Sequence, residues 1–162
     1  MSDESIRKEW MSILDSYGIT EEDYERKLVK LEKKLGKKPS SKLVILNLFN
    51  LAINRANDRH NLKMIYYHKA LFLNSEKKEF INPLRKSYRM ELLKLKERGV
   101  TNVVKILSAG ESSCESCRKM DGAVFTIDEA LKKMPLPNEN CTKTLDDPDR
   151  GFCRCSYQPF ID

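Results

Sequence analysis

No cysteine precedes Cys114 in this 162-residue chain, histidine occurs only as His60 and His68, and no apolar run is long enough to cross a bilayer. The longest such run, LVILNLFNLAI, is interrupted by Asn47 and Asn50 and falls short of the ~20 residues a spanning helix needs. The start, MSDESIRKEW, is polar and charged where a secretory leader would carry an apolar stretch. A soluble, cytoplasmic protein with no membrane partner is therefore expected. Gly-rich phosphate loops, a serine elbow and paired catalytic acids are also missing. Both histidines fall on or beside a helical stretch, remote in sequence from the cysteines, and are read as structural. Enzymatic chemistry and a small-molecule substrate have little to stand on. DDPDR, residues 146–150, offers carboxylates for a divalent cation or a nuclease, but such a run reads first as a solvated turn.

What is present suffices for a core, since 40% of the residues are hydrophobic. The net charge is +6, and it is unevenly spread: 23 basic residues face 14 acidic ones up to Gly110, and 7 face 10 from Glu111 onward. The front of the chain thus permits an anionic partner, while the cysteine-bearing end is mildly acidic.

The first hundred residues carry helical periodicity. Ile6, Trp10, Ile13, Leu14 and Tyr17 share a face before Gly18; Tyr24, Leu28, Leu31 and Leu35 share the next before Gly36. Thr20 and Asp23 have the spacing of a capping box, and Ser40 or Ser41 is placed to cap a helix from about Leu43 to Asn57. That helix is apolar over most of its circumference except for the row Asn47, Asn50, Asn54 and Asn57. Asn82 and Pro83 predict another helix start, with Leu84, Tyr88, Leu92 and Leu95 as its buried stripe and Gly99 as its stop. From Val100 the pattern changes. VTNVVKIL, AVFTI and GFCRCSY read as short strands, with one short helix, DEALKKM, capped by Thr126 or Asp128. The expected fold class is α+β: a helical bundle over residues 1–99 and a small cysteine-rich, zinc-finger-like module over residues 100–162.

The five cysteines are Cys114, Cys117, Cys141, Cys153 and Cys155. An odd count in a reducing compartment argues against a disulfide framework. Cys114 and Cys117 form a C-x2-C knuckle, whose two sulfurs can face one point at the ~2.3 Å spacing that tetrahedral zinc requires. The expected ligands are Cys114, Cys117 and Cys141 with Cys153 or Cys155 as the fourth; a site using both Cys153 and Cys155 without Cys141 is the alternative. A thioredoxin-like redox use of CESC would require the pair to open a helix within a βαβ unit, whereas here it lies between two short strands. The expected cofactor is one structural Zn2+. The roughly fifty residues around it have few large apolar side chains, and zinc can contribute on the order of 10 kcal/mol to such a module.

The run SAGESSCESCRKMDGAVFTIDEA, followed by a proline-containing segment and CRC, resembles the C-terminal motif of the phage Mu F-like head morphogenesis (minor capsid) proteins. MDG at Met120 to Gly122, Phe125 and Cys153 to Cys155 carry the likeness, which spans about the last sixty residues. The resemblance implies a cysteine-rich fold and, as an alternative function, a role in capsid assembly. Where that family has a histidine, PLPNENC offers Asn138, Asn140 and Cys141, which leaves Cys141 to take over the ligand role. A segment from Thr142 to Phe152 also separates Cys141 from CRC, where the family has about two residues.

A helical basic part joined to a small zinc module suits an adaptor, with another protein as the expected partner. Nucleic acid is the alternative partner, met through Lys33, Lys34, Lys37, Lys38 and Lys42 or through Arg85, Lys86 and Arg89. Aromatics are not interleaved with these basic residues, so stacking on single strands has no support.

Overall fold

The structure is a computed structural model that describes residues 2–142 and 153–161. It is α+β, as the sequence predicts. In chain order the elements are α1 (Asp3–Asp15), α2 (Glu21–Leu35), α3 (Ser41–Arg55), α4 (Arg59–Ser75), α5 (Ile81–Arg98), β1 (Val103–Leu107), a 3-10 turn (Gly110–Ser112), α6 (Glu115–Met120), β2 (Val124–Thr126), α7 (Ile127–Lys133) and β3 (Ser156–Pro159). No described helix is long and apolar enough to cross a membrane. The DDPDR segment lies outside the described residues.

Contact density divides the chain into two compact units, Met1–Asn61 and Leu62–Asp162. In the first, α3 packs against both α1 and α2. Its apolar circumference explains this: Val44, Ile45, Leu48, Phe49 and Ala52 are all buried, and the Phe49 ring meets Trp10 edge-on at 6.0 Å. Asn47 turns its amide back to the Leu43 carbonyl of its own helix at 2.9 Å, so this member of the asparagine row is spent locally.

The α2 start shows how local chemistry sets the entry angle. Thr20 and Asp23 form the expected capping box, and the buried Asp23 carboxylate also takes two hydrogen bonds from Arg55 of α3, at 2.7 and 2.9 Å. One side chain therefore closes a helix end and ties that helix to its neighbour. The stripe expected to be buried along α2 is only partly so. Tyr24 lies under Arg7 of α1, while Leu28 and Leu31 are half-buried and Leu35 is 44% exposed. Gly36 then ends the helix at φ 69°, a left-handed turn that a side chain would strain.

The second unit does not begin where the change of sequence pattern near Gly99 places a boundary. Gly99 does end α5, but Leu92 and Leu95 of that helix are buried in the same core as Val104, Ile106, Ile127, Ala130, Leu136 and Tyr157. The helix roofs the small sheet and cannot be separated from it. On the other side of α5, Leu84 packs on Ala70 of α4, Ser87 donates to the Lys63 carbonyl at 2.9 Å, and Lys63 pairs with Glu91. α5 starts two residues earlier than expected, with Phe80 at its N-cap and no side-chain cap. The Asn82 amide N–H is met by Glu79 instead, and Pro83 still falls in the first turn, where no intrahelical donor is needed.

The sheet order is β2-β1-β3 and both pairings are antiparallel, with Val104 opposite Phe125 and Ile106 opposite Tyr157. The third strand begins only at Ser156, after the cysteines, so CRC precedes the ladder. The module also holds two short helices where one was expected: ESCRKM forms α6, and α7 starts at a second capping box, Thr126 with Glu129.

Asp23 generates a pH test. Hydrogen bonds from Arg55 first, then from Thr20, hold its carboxyl well below the usual carboxylate range, so its contribution is present above the unfolded value near pH 4 and is lost as pH falls below it. Asp23→Asn is expected to lower stability by about 1–3 kcal/mol at pH 7, with the gap to the parent closing toward pH 2. Urea unfolding followed by circular dichroism at both pH values measures it; a gap independent of pH contradicts the assignment.

Candidate metal centre

The first two thiols are set by the β1–β2 connection. The β1–β2 ladder extends ahead of β2 through bonds from the Ile106 N–H to the Ala123 carbonyl and from the Gly122 N–H to the Ile106 carbonyl, both 2.8 Å. The Ser108 N–H reaches Asp121 Oδ1 at 2.7 Å. This closed loop holds the 3-10 turn and α6. Cys114 sits at the N-cap of α6 and Cys117 in its first turn, so CESC does open a helix, contrary to the expected knuckle between strands. The flanking strands are antiparallel neighbours, which is not the βαβ setting of a thioredoxin-like pair.

Cys141 arrives on the turn after α7, where its N–H bonds the Asn138 carbonyl at 3.0 Å. Cys153 and Cys155 come from the segment leading into β3; both are buried and Arg154 between them is exposed, the alternation expected of an extended stretch. All five sulfurs converge. Cys114, Cys117 and Cys141 form one group and Cys117, Cys153 and Cys155 another, with every sulfur in a group within 4.8 Å of the others. Cys114 and Cys141 lie 3.8 Å apart and Cys117 and Cys153 3.9 Å apart. A disulfide would require ~2.05 Å. A tetrahedron of sulfurs at ~2.3 Å from one ion has edges of about 3.8 Å.

Neither group holds four sulfurs: three of the four favoured ligands make one, the CRC pair with Cys117 but without Cys114 makes the other, and Cys117 belongs to each. Such groups can hold a metal ion, and thiolates suit zinc and other soft ions. No histidine joins these groups among the described residues.

Two side chains support the cluster that spacing alone did not single out for this purpose. Asn138 donates its amide to Ser116 Oγ at 2.9 Å and to Cys117 Sγ at 3.5 Å, while its own backbone N–H faces the Cys153 sulfur. Tyr88 of α5 is half-buried against the cluster, and its hydroxyl donates to the carbonyls of Cys155 and Cys153, at 2.6 and 3.1 Å. A signal existed for Tyr88: a tyrosine in an otherwise aliphatic buried stripe needs a partner for its hydroxyl.

The electrostatics divide the thiols: hydrogen bonds favour the anion at Cys114 and Cys153, while burial pushes the Cys117 thiol up. Burial would raise the Cys114 thiol, but N–H groups of Cys117 and Thr142, with the Cys117 and Cys141 side chains, outweigh it and bring it down to about 7. Cys153 is lowered, first by its neighbour Cys155 and then, against burial, by the N–H groups of Asn138 and Cys155. Cys155 is raised, first by Cys153 and then by burial, because adjacent thiols cannot all ionise without a cation.

The basic residues are arranged differently from the cysteines. Lys33, Lys34, Lys37 and Lys38 are exposed at the end of α2 and beyond it, and Lys42 is half-exposed on α3. On α5, Arg85 pairs with Glu139, Arg89 reaches the Leu131 carbonyl at 3.3 Å, and Lys86 lies 5.6 Å from the centre of the Tyr66 ring. Comparison with known families, characterised proteins and solved structures finds no match to this chain.

Tyr88→Phe removes a bond to two buried carbonyls without changing the ring's volume. It is expected to cost about 1–3 kcal/mol and to weaken metal retention. Chemical unfolding, together with competition against a chromophoric zinc chelator, checks both; unchanged retention would contradict the supporting role.

Proposed function

We propose that the chain is a non-enzymatic binding or adaptor protein whose cysteine module is organised around one structural zinc ion. The carrying observation is the convergence of five thiols from three separate segments, with sulfur spacings that match a zinc–thiolate tetrahedron. Cys114, Cys117 and Cys141, with Cys153 or Cys155, would hold the ion. Four sulfurs leave no coordination position for water, so the ion would supply fold stability rather than Lewis-acid chemistry. Asn138 and Tyr88 would orient the thiolates, as outer partners of metal ligands do.

Another protein is the partner best supported. The half-exposed leucines of α2 offer apolar surface, whereas Arg85 and Arg89 are turned to groups of their own module. The exposed lysines of the first unit keep nucleic acid as the alternative to be tested.

Purified chain is expected to contain about one zinc per molecule by elemental analysis; a metal-free chain with five titratable thiols overturns the proposal. Cys117→Ala should expose residues 100–162 to limited proteolysis while residues 1–61 keep their protection. Binding to DNA or RNA duplexes, measured by anisotropy over a salt series, separates the partners: little affinity and a slope near zero support a protein partner, and a steep negative slope supports nucleic acid.

A further inference from the structure

Five thiols are one more than a tetrahedral ion uses, and the two groups they form have a single member in common. Cys117 lies within 4.8 Å of Cys114 and Cys141 on one side and of Cys153 and Cys155 on the other. Five ligands with one shared make two sets of three. Three sulfurs around one ion in a plane, at about the zinc–sulfur distance, are separated by about 4 Å. The observed 3.8 and 3.9 Å, one from each group, fit that arrangement as well as a tetrahedral edge.

Which ions accept three thiolates is a matter of softness and electron count. Monovalent copper is a closed-shell, soft cation that favours sulfur and is satisfied by three donors, whereas zinc seeks four. We infer that the centre can take two Cu(I) ions, one in each cysteine group, with the Cys117 sulfur bridging them. The inference rests on the reading of this cluster as a thiolate metal centre, and adds to it a second occupancy and a second metal class. Exchange balances without electron transfer. One Zn2+ leaves, two Cu+ enter, and the fifth thiol releases its proton to solvent as it becomes a ligand. The copper is supplied already in its monovalent state.

Burial suits this chemistry. Cys117, Cys141, Cys153 and Cys155 are buried and Cys114 is half-buried, which shields thiolate-bound Cu(I) from water and oxidants. Asn138 bonds to Cys117 and faces Cys153, so it would brace the bridging sulfur and a sulfur of the second group together.

The test is an anaerobic titration of the zinc-loaded full chain with Cu(I) buffered by bathocuproine disulfonate, with metals counted by native mass spectrometry. The expected result is two Cu(I) bound and one zinc released per chain. In Cys155→Ser, which keeps the first group whole, capacity should fall to one Cu(I). Saturation of the parent at a single Cu(I), or an undiminished capacity of two in Cys155→Ser, overturns the inference. The zinc count of the starting material is a separate readout: one zinc with one Cu(I) sinks only the two-ion arrangement, whereas no zinc with two Cu(I) sinks only the zinc proposal.

Discussion

The thiol of Cys117 is within 4.8 Å of four other sulfurs, and that crowding is the constraint around which the second unit is arranged. Thiols this close cannot all ionise, and burial penalises each charge further. The chain answers with donors: the N–H groups of Cys117 and Thr142 face Cys114, those of Asn138 and Cys155 face Cys153, and the Asn138 amide faces Cys117. The sulfurs also serve as core. Cys117, Cys141, Cys153 and Cys155 are buried in one cluster with Val104, Ile106, Ile127, Leu136 and Tyr157, and fill space that larger aliphatic side chains would occupy elsewhere.

Local rules made much of this architecture legible. The capping boxes at Thr20 and Thr126, the stops at Gly36 and Gly99, and the buried stripe of α5 all depend on neighbours within one or two helical turns, where residue type determines geometry. The gathering of the cysteines was legible because C-x2-C and C-x-C each bring two sulfurs to one side. The division of the chain was not. A change of pattern at Val100 marks where helix gives way to strand, but a compact unit is defined by what shares a core, and Leu92 and Leu95 share theirs with β1 and α7. The helical start of CESC was missed for a related reason: six residues are too few for periodicity to reveal a helix.

α5 fastens the parts of the second unit together. Its apolar stripe covers the sheet, Tyr88 holds the carbonyls on either side of Arg154, and Arg85, Arg89 and Lys96 reach Glu139, the Leu131 carbonyl and Asp128. A face that reads as basic in sequence is therefore largely an internal fastening. The exposed lysines around the end of α2 have no such role among the bonds described for them, and there the half-exposed leucines lie close by in sequence. Cys141 stands in one of the gathered groups, and Asn138, three residues before it, donates to sulfur.

The small sheet carries a consequence for how the protein coexists with copies of itself. β1 is central and fully paired, leaving β2 and β3 as the two edges. β2 is three residues long and leads directly into α7; β3 is four residues long and ends at Pro159, which has no N–H to offer. Short edges, one of them closed by proline, give an incoming strand almost no register to extend. The cysteine module is thereby protected against growth into larger sheets, even though so few strands and so little aliphatic core build it.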